Sequence, residues 1–172
     1  MKRRIVMILL IFVSFLLQST LLKQIAIASV SPNLLLILTV SFGLMRGKRE
    51  GMFTGFLCGI LCDLFYGGVL GFTSLLYVVI GYLCGFCCRI FYDDDIKMPV
   101  ALIAASDLGY GICMYAFQFL MRGRIQFFYY LGRIIIPEVI YTIVLTICCY
   151  RLLLGLNRWL EKGERRSVDS LV

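Results

Sequence analysis

The chain has 172 residues, 61% of them hydrophobic, with 17 Lys and Arg against 10 Asp and Glu and a formal net charge of +7; its mean hydropathy is +0.93. Charge this sparse, gathered in short clusters between long apolar runs, excludes a water-soluble globular domain and reads as a single all-α polytopic membrane domain. The chain has no histidine, which excludes Ser-His, Cys-His and His-metal chemistry. No basic stripe with interleaved aromatics faces water, which excludes a nucleic-acid surface.

The first span is expected at about residues 5–22, after Lys2, Arg3 and Arg4. Its apolar core is long for a signal peptide and further apolar segments follow, so it reads as an uncleaved transmembrane helix. Ser31-Pro32 then predicts a helix start, with Ser at the N-cap and Pro at the first helical position. The second span, 32–45, has 14 residues and reaches only about 21 Å against a hydrocarbon core of about 30 Å. Either residues 25–30 extend it or protein shields one of its ends.

The third span, about 51–66, follows a basic turn (Arg46, Lys48, Arg49) and carries Gly51, Gly55 and Gly59 at four-residue intervals, with Asp63 next in the series. That interval places all four on one helix face, a seam for close helix packing inside a membrane. Gly67-Gly68 predicts a tight turn. The fourth span, about 69–88, carries a second such seam at Gly81 and Gly85. The loop holding Asp93, Asp94 and Asp95 lacks the spacing of a calcium loop and reads as solvated.

The fifth span is expected at about 98–120, with Asp107 inside it. Phe127, Phe128, Tyr129 and Tyr130 form a short aromatic stretch suited to the membrane interface. The sixth span, about 133–154, starts with Arg133, Pro137 and Glu138, and a short basic tail, 157–172, carries the interfacial candidate Trp159. Six spans with the N-terminus in the cytoplasm leave Lys23, Arg122, Arg124 and Arg133 outside and the other thirteen of the 17 Lys and Arg inside. The positive-inside rule therefore places both termini in the cytoplasm, where the basic turns also meet anionic lipid.

Asp63, Asp107 and Glu138 lie at membrane depth, where an ionisable group is costly unless paired. The readings open for them are an ion or proton path, a polar pocket, or hydrogen bonding that fixes helix packing. For Asp63 the glycine face favours packing, with Arg133 as a candidate partner; for Asp107 the nearby Ser106 and Tyr110 are the local candidates to satisfy the carboxyl. The eight cysteines read as small buried hydrophobes. Cys84-x-x-Cys87-Cys88 lacks the second cluster of a metal site. No phosphate-binding loop, dinucleotide fingerprint or catalytic constellation is present, so neither enzymatic activity nor a cofactor nor a metal is expected.

The ordered set of Pro32 to Leu38 (PNLLLIL), a basic turn, Gly55-Phe56-x-x-Gly59-x-x-x-Asp63, Leu70-Gly71 and Arg133…Pro137…Tyr141 resembles the MreD family of rod shape-determining proteins, over nearly the whole chain. The resemblance implies a multi-pass protein of the bacterial inner (cytoplasmic) membrane without enzymatic activity. It would serve as a scaffold of the cell-elongation machinery, or elongasome, in cell-shape maintenance and lateral peptidoglycan synthesis. The implied partners are an MreC-like protein, MreB, a RodA-type glycosyltransferase and a class B penicillin-binding transpeptidase. It also implies a fold similar to the S subunits of energy-coupling-factor transporters, and hence the alternative of a solute-binding subunit for a vitamin. The first span, bulky throughout, lacks the small-x-x-x-small docking pattern expected of such a subunit, which favours the scaffold.

Overall fold

The computed structural model of the chain describes residues 2–22, 32–66, 69–87, 97–122 and 131–169. They form six α-helices: α1 (Lys2–Leu17), α2 (Leu34–Arg46), α3 (Lys48–Tyr66), α4 (Phe72–Phe86), α5 (Lys97–Arg122) and α6 (Ile136–Asp169). A π-helical turn, Gln18–Leu22, extends α1, and another, Leu131–Ile135, leads into α6. There is no strand among the described residues.

Four boundaries differ from expectation, the first being that of α4, which is expected from about residue 69 and starts at Phe72 after a turn through Gly71. Helix α2 starts at Leu34, not Pro32, because Asn33 is its cap: the Asn33 side chain accepts from the N–H of Leu36 at 3.3 Å. An amide oxygen held over the first turn satisfies a donor that helix geometry leaves open. Ser31, the expected cap, lies outside the described residues. Helix α3 begins at Lys48, so Lys48 and Arg49 belong to its first turn. Residues 157–169, expected as a separate tail, continue α6 to Asp169.

Helix α2 is the axis of the bundle. Leu34 to Leu44 are all buried, and α2 touches each of the other five helices. A single residue, Gly47, turns the chain from α2 into α3. It sits at φ 88°, a region side chains disfavour. Its N–H closes the end of α2 on the carbonyl of Gly43 at 2.8 Å, and its own carbonyl accepts from Gly51 at 3.1 Å. Helices α3 and α4 form an antiparallel hairpin with the most extensive contact in the molecule, and α5 pairs with α6. Helix α1 enters the core through Met7, Ile11 and Phe15.

Polarity is inverted relative to a water-soluble bundle. Thr39, Ser41, Thr54, Asp63, Asp107, Thr142 and Thr146 are buried, while Leu9, Phe12, Leu64, Leu75, Ile140 and Val144 are exposed. Soluble proteins bury the second kind and expose the first. Residues 97–117 and 132–155 are long and apolar enough to cross a membrane, and shorter apolar helices occupy 5–20, 34–46 and 72–86.

Candidate functional site

The two glycine seams face each other. A Cβ on Gly51 would stand 2.5 Å from the carbonyl oxygen of Gly81, one on Gly55 would collide with the Tyr77 carbonyl, and one on Gly59 with Ser74 Cα. From the other side, a Cβ on Gly81 would strike the Gly51 carbonyl, and one on Gly85 would lie 2.5 Å from Lys48 Cα. The pairs run in opposite chain directions, as an antiparallel hairpin requires. Small residues at every fourth position let two backbones touch, and dispersion over that contact holds helices together where lipid offers no hydrophobic drive. Gly43 of α2 joins at the same end. A Gly51 Cβ would lie 2.8 Å from Gly43 Cα, and a Gly43 Cβ 3.1 Å from the Gly81 oxygen. Three helices therefore converge on glycine. At this end Lys48 Nζ also sits 3.3 Å from the centre of the Phe86 ring, a cation–π contact.

Asp63 closes the opposite end of the hairpin. Its Oδ2 accepts from the N–H of Gly71 at 3.0 Å, the N–H of Ser74 at 3.0 Å and the Ser74 hydroxyl at 2.7 Å; its Oδ1 accepts from the N–H of Thr73 at 3.3 Å. The reason is local to α4. Its N-cap residue is Gly71, at φ 95°, with no side chain to cap the first turn. Those open N–H groups and the positive end of the helix dipole suit a carboxylate. Asp63 supplies from α3 the cap that α4 lacks. The position of Asp63 four residues past Gly59 puts it on the seam, so the packing face and the cap are one feature. Arg133, expected as a partner of Asp63, stands on the turn before α6; the four hydrogen bonds to Asp63 come from the start of α4.

Beside this clamp the N-terminus of α2 is tied to three other helices. Gln18 Oε1, at the end of α1, accepts from the N–H of Leu35 at 3.2 Å. Asn33 Oδ1 accepts from the Tyr77 hydroxyl of α4 at 2.7 Å, and the Asn33 N–H donates to Thr142 Oγ1 of α6 at 3.4 Å. Tyr77 and Thr142 are 1% and 0% exposed. The short second helix is thus shielded by protein at its start. Residues 25–30, the other expected way to accommodate it, lie outside the described residues.

Asp107 of α5 lies against this knot and is 2% exposed. Neither carboxyl oxygen has a hydrogen-bond partner among the described residues. Ser106, expected to satisfy it, lies 3.4 Å from Cys84 Sγ instead. Tyr110 stacks edge-on against Tyr77, ring centres 5.5 Å apart. Glu138, half-buried in the first turn of α6, is within electrostatic reach of Asp107. Phe127, Phe128, Tyr129 and Tyr130 lie outside the described residues, and Trp159 falls on the distal part of α6.

Sequence reading named the seams and the three acids but not Asn33, Gly43, Ser74, Tyr77 or Thr142. Only Asn33 carried a local signal, being a preferred N-cap type directly before an apolar run. The others act on partners remote in sequence, 11 residues away for Ser74 and 109 for Thr142. Between them the site's parts are geometric: a zipped hairpin, a carboxylate cap and a buried polar knot, with a groove of about 610 Å³ between α3 and α4 lined by Phe56, Leu64, Leu70 and Leu75 and also by Asp63 and Ser74 of the clamp. No curated protein and no solved structure matches the chain. The family profile described as rod shape-determining protein MreD matches residues 1–159. With a match across that much of its length, the chain belongs to the MreD family of rod shape-determining membrane proteins.

Proposed function

We propose that this protein is a non-catalytic, multi-pass scaffold of the bacterial cytoplasmic membrane. Its role is to support cell shape and lateral peptidoglycan synthesis by holding an MreC-like protein. MreB, a RodA-type glycosyltransferase and a class B penicillin-binding transpeptidase are the further partners in that assembly. Six crossings, with both ends in the cytoplasm, agree with the distribution of basic residues.

The observation that carries this reading is the inward direction of the polar groups at the site. The four donors to Asp63 and the ties of Asn33 all lie within the bundle. The helices turn large apolar side chains outward: Ile5, Leu9, Phe12 and Leu16 on α1, and Ile136, Ile140, Val144 and Ile147 on α6. A rigid body with apolar outer faces is suited to holding other membrane helices by packing. The glycine seams belong to the inside of that body, so the partner surface is sought elsewhere. The outward face of α1 is the surface assigned to the membrane helix of the MreC-like partner.

The test is co-purification with the MreC-like protein from the native host, together with depletion. Replacing Leu9 and Phe12 by alanine leaves the bundle core untouched and should reduce recovery of the partner about tenfold, the effect of losing two anchor side chains. Undiminished recovery would reject α1 as the docking face. Depletion should turn rods into round cells, and rods that persist would reject the function itself.

A further inference from the structure

The chain buries two aspartates and treats them differently. Asp63 receives four hydrogen bonds. Asp107, 2% exposed, receives none among the described residues. Its surroundings explain why. The Thr142 hydroxyl faces Asp107 but does not reach it in hydrogen-bond geometry; it donates to the carbonyl of Glu138 at 2.8 Å and accepts from the N–H of Asn33 at 3.4 Å. Ser106 lies at Cys84, and Tyr110, the next polar residue along α5, packs its ring edge-on against Tyr77. Among the described residues, the charged or titratable groups near Asp107 are Glu138 of α6 and Tyr110 of α5, and Asp63 and Cys62 of α3 lie near Tyr110. A carboxylate left bare at this depth costs several kcal/mol, and a second carboxyl nearby makes it worse.

We propose that Asp107, Glu138 and the Thr142 hydroxyl form a binding site for one small monovalent cation, a proton or Na⁺, between α5 and α6. Two carboxyls and a hydroxyl are hard oxygen donors. A single positive charge neutralises the Asp107 carboxylate. When the cation is a proton, one O–H bond forms on a carboxylate oxygen and nothing else is consumed; when it is Na⁺, the carboxylate stays ionised and binds the ion directly. The site is independent of the scaffold role, because neither a partner nor the α1 face takes part in it.

Infrared spectroscopy of the purified full-length protein in lipid nanodiscs tests this. In sodium-free buffer at low pH the spectrum should contain a protonated-carboxyl band that Asp107→Asn removes. That band should vanish as the pH is raised between about 5 and 10, the range over which perturbed carboxyls in proteins titrate. A proton site gives the same loss with or without sodium chloride. A sodium site also loses the band when sodium chloride is added at fixed pH. A band that persists throughout this range in both salts overturns the proposal, as does the absence of any band dependent on Asp107. Glu138→Gln provides the second variant and should move the midpoint of the loss, whereas Glu50→Gln should leave it in place. An unmoved midpoint in Glu138→Gln rejects the pair, even if Asp107→Asn does not fold.

Discussion

Asp63 holds Ser74 twice on one oxygen: the backbone N–H of Ser74 lies 3.0 Å and its hydroxyl 2.7 Å from Asp63 Oδ2. The end of α3 is thereby fastened to the beginning of α4 by a carboxylate. Asp63→Asn keeps an acceptor but loses the charge and one acceptor oxygen. It should destabilise the protein by about 1.5–3 kcal/mol, the usual worth of a hydrogen bond to a charged group. Ser74→Ala removes one of the four bonds and should cost about 1 kcal/mol. Unfolding in mixed detergent, followed by circular dichroism, ranks the two. Equal stability of Asp63→Asn and the parent would mean the clamp does not hold the hairpin.

The seam makes a contrast between glycines that look alike in sequence. Gly59→Ala drives a methyl group into the backbone of Ser74 and should cost about 1–3 kcal/mol through overpacking. Gly109→Ala, with nothing within 4 Å of the added methyl, should be neutral or stabilising by up to about 1 kcal/mol, the helix preference of alanine over glycine. The same detergent unfolding assay reads both. A larger loss at position 109 than at position 59 would contradict the hairpin geometry.

Asn33 and Tyr77 are 44 residues apart and share a 2.7 Å hydrogen bond inside the bundle. Asn33→Ala removes both the cap of α2 and this bond; Tyr77→Phe removes only the bond. A double-mutant cycle should therefore return a coupling energy of about 0.5–3 kcal/mol, the range for residues in direct contact. Additive losses would show that the two groups do not act together.

Six crossings with both termini in the cytoplasm make a topology prediction. Reporter fusions at the N-terminus, after Arg49 and after Val172 should report the cytoplasmic side. Fusions at Lys23, after Gly67 and after Arg124 should report the opposite side. An odd number of crossings would place the two ends on different sides and refute the assignment.

The helices themselves were legible because their signals are local. The glycine interval at 51, 55 and 59 matches the helical period, and Asp63 falls on the same face by arithmetic alone. What that face meets was not legible. Gly81 and Gly85 form a seam of the same kind, and nothing in either seam says that the two close on each other rather than on further helices. The donors to Asp63 lie on the far side of a turn whose path no local pattern fixes. Asp107 shows the opposite failure: Ser106 and Tyr110 are adjacent in sequence, yet helix rotation turns Ser106 to Cys84 and the Thr142 proton goes to a carbonyl of its own helix. Proximity along the chain predicted hydrogen bonds that proximity in space did not supply.

The enclosure of α2 has a bearing on how the protein is made. With 13 residues, or about 20 Å of helix, and no lipid-facing side from Leu34 to Leu44, α2 is not held in the bilayer by its own hydrophobic length. Its place comes from Gln18, Tyr77 and Thr142, contributed by helices synthesised both before and after it. Thr142 is translated more than a hundred residues later, so the last tie on α2 forms only when α6 emerges. Until then the centre of the bundle is provisional, and a chain truncated before α6 would leave the amide of Asn33 without its partner.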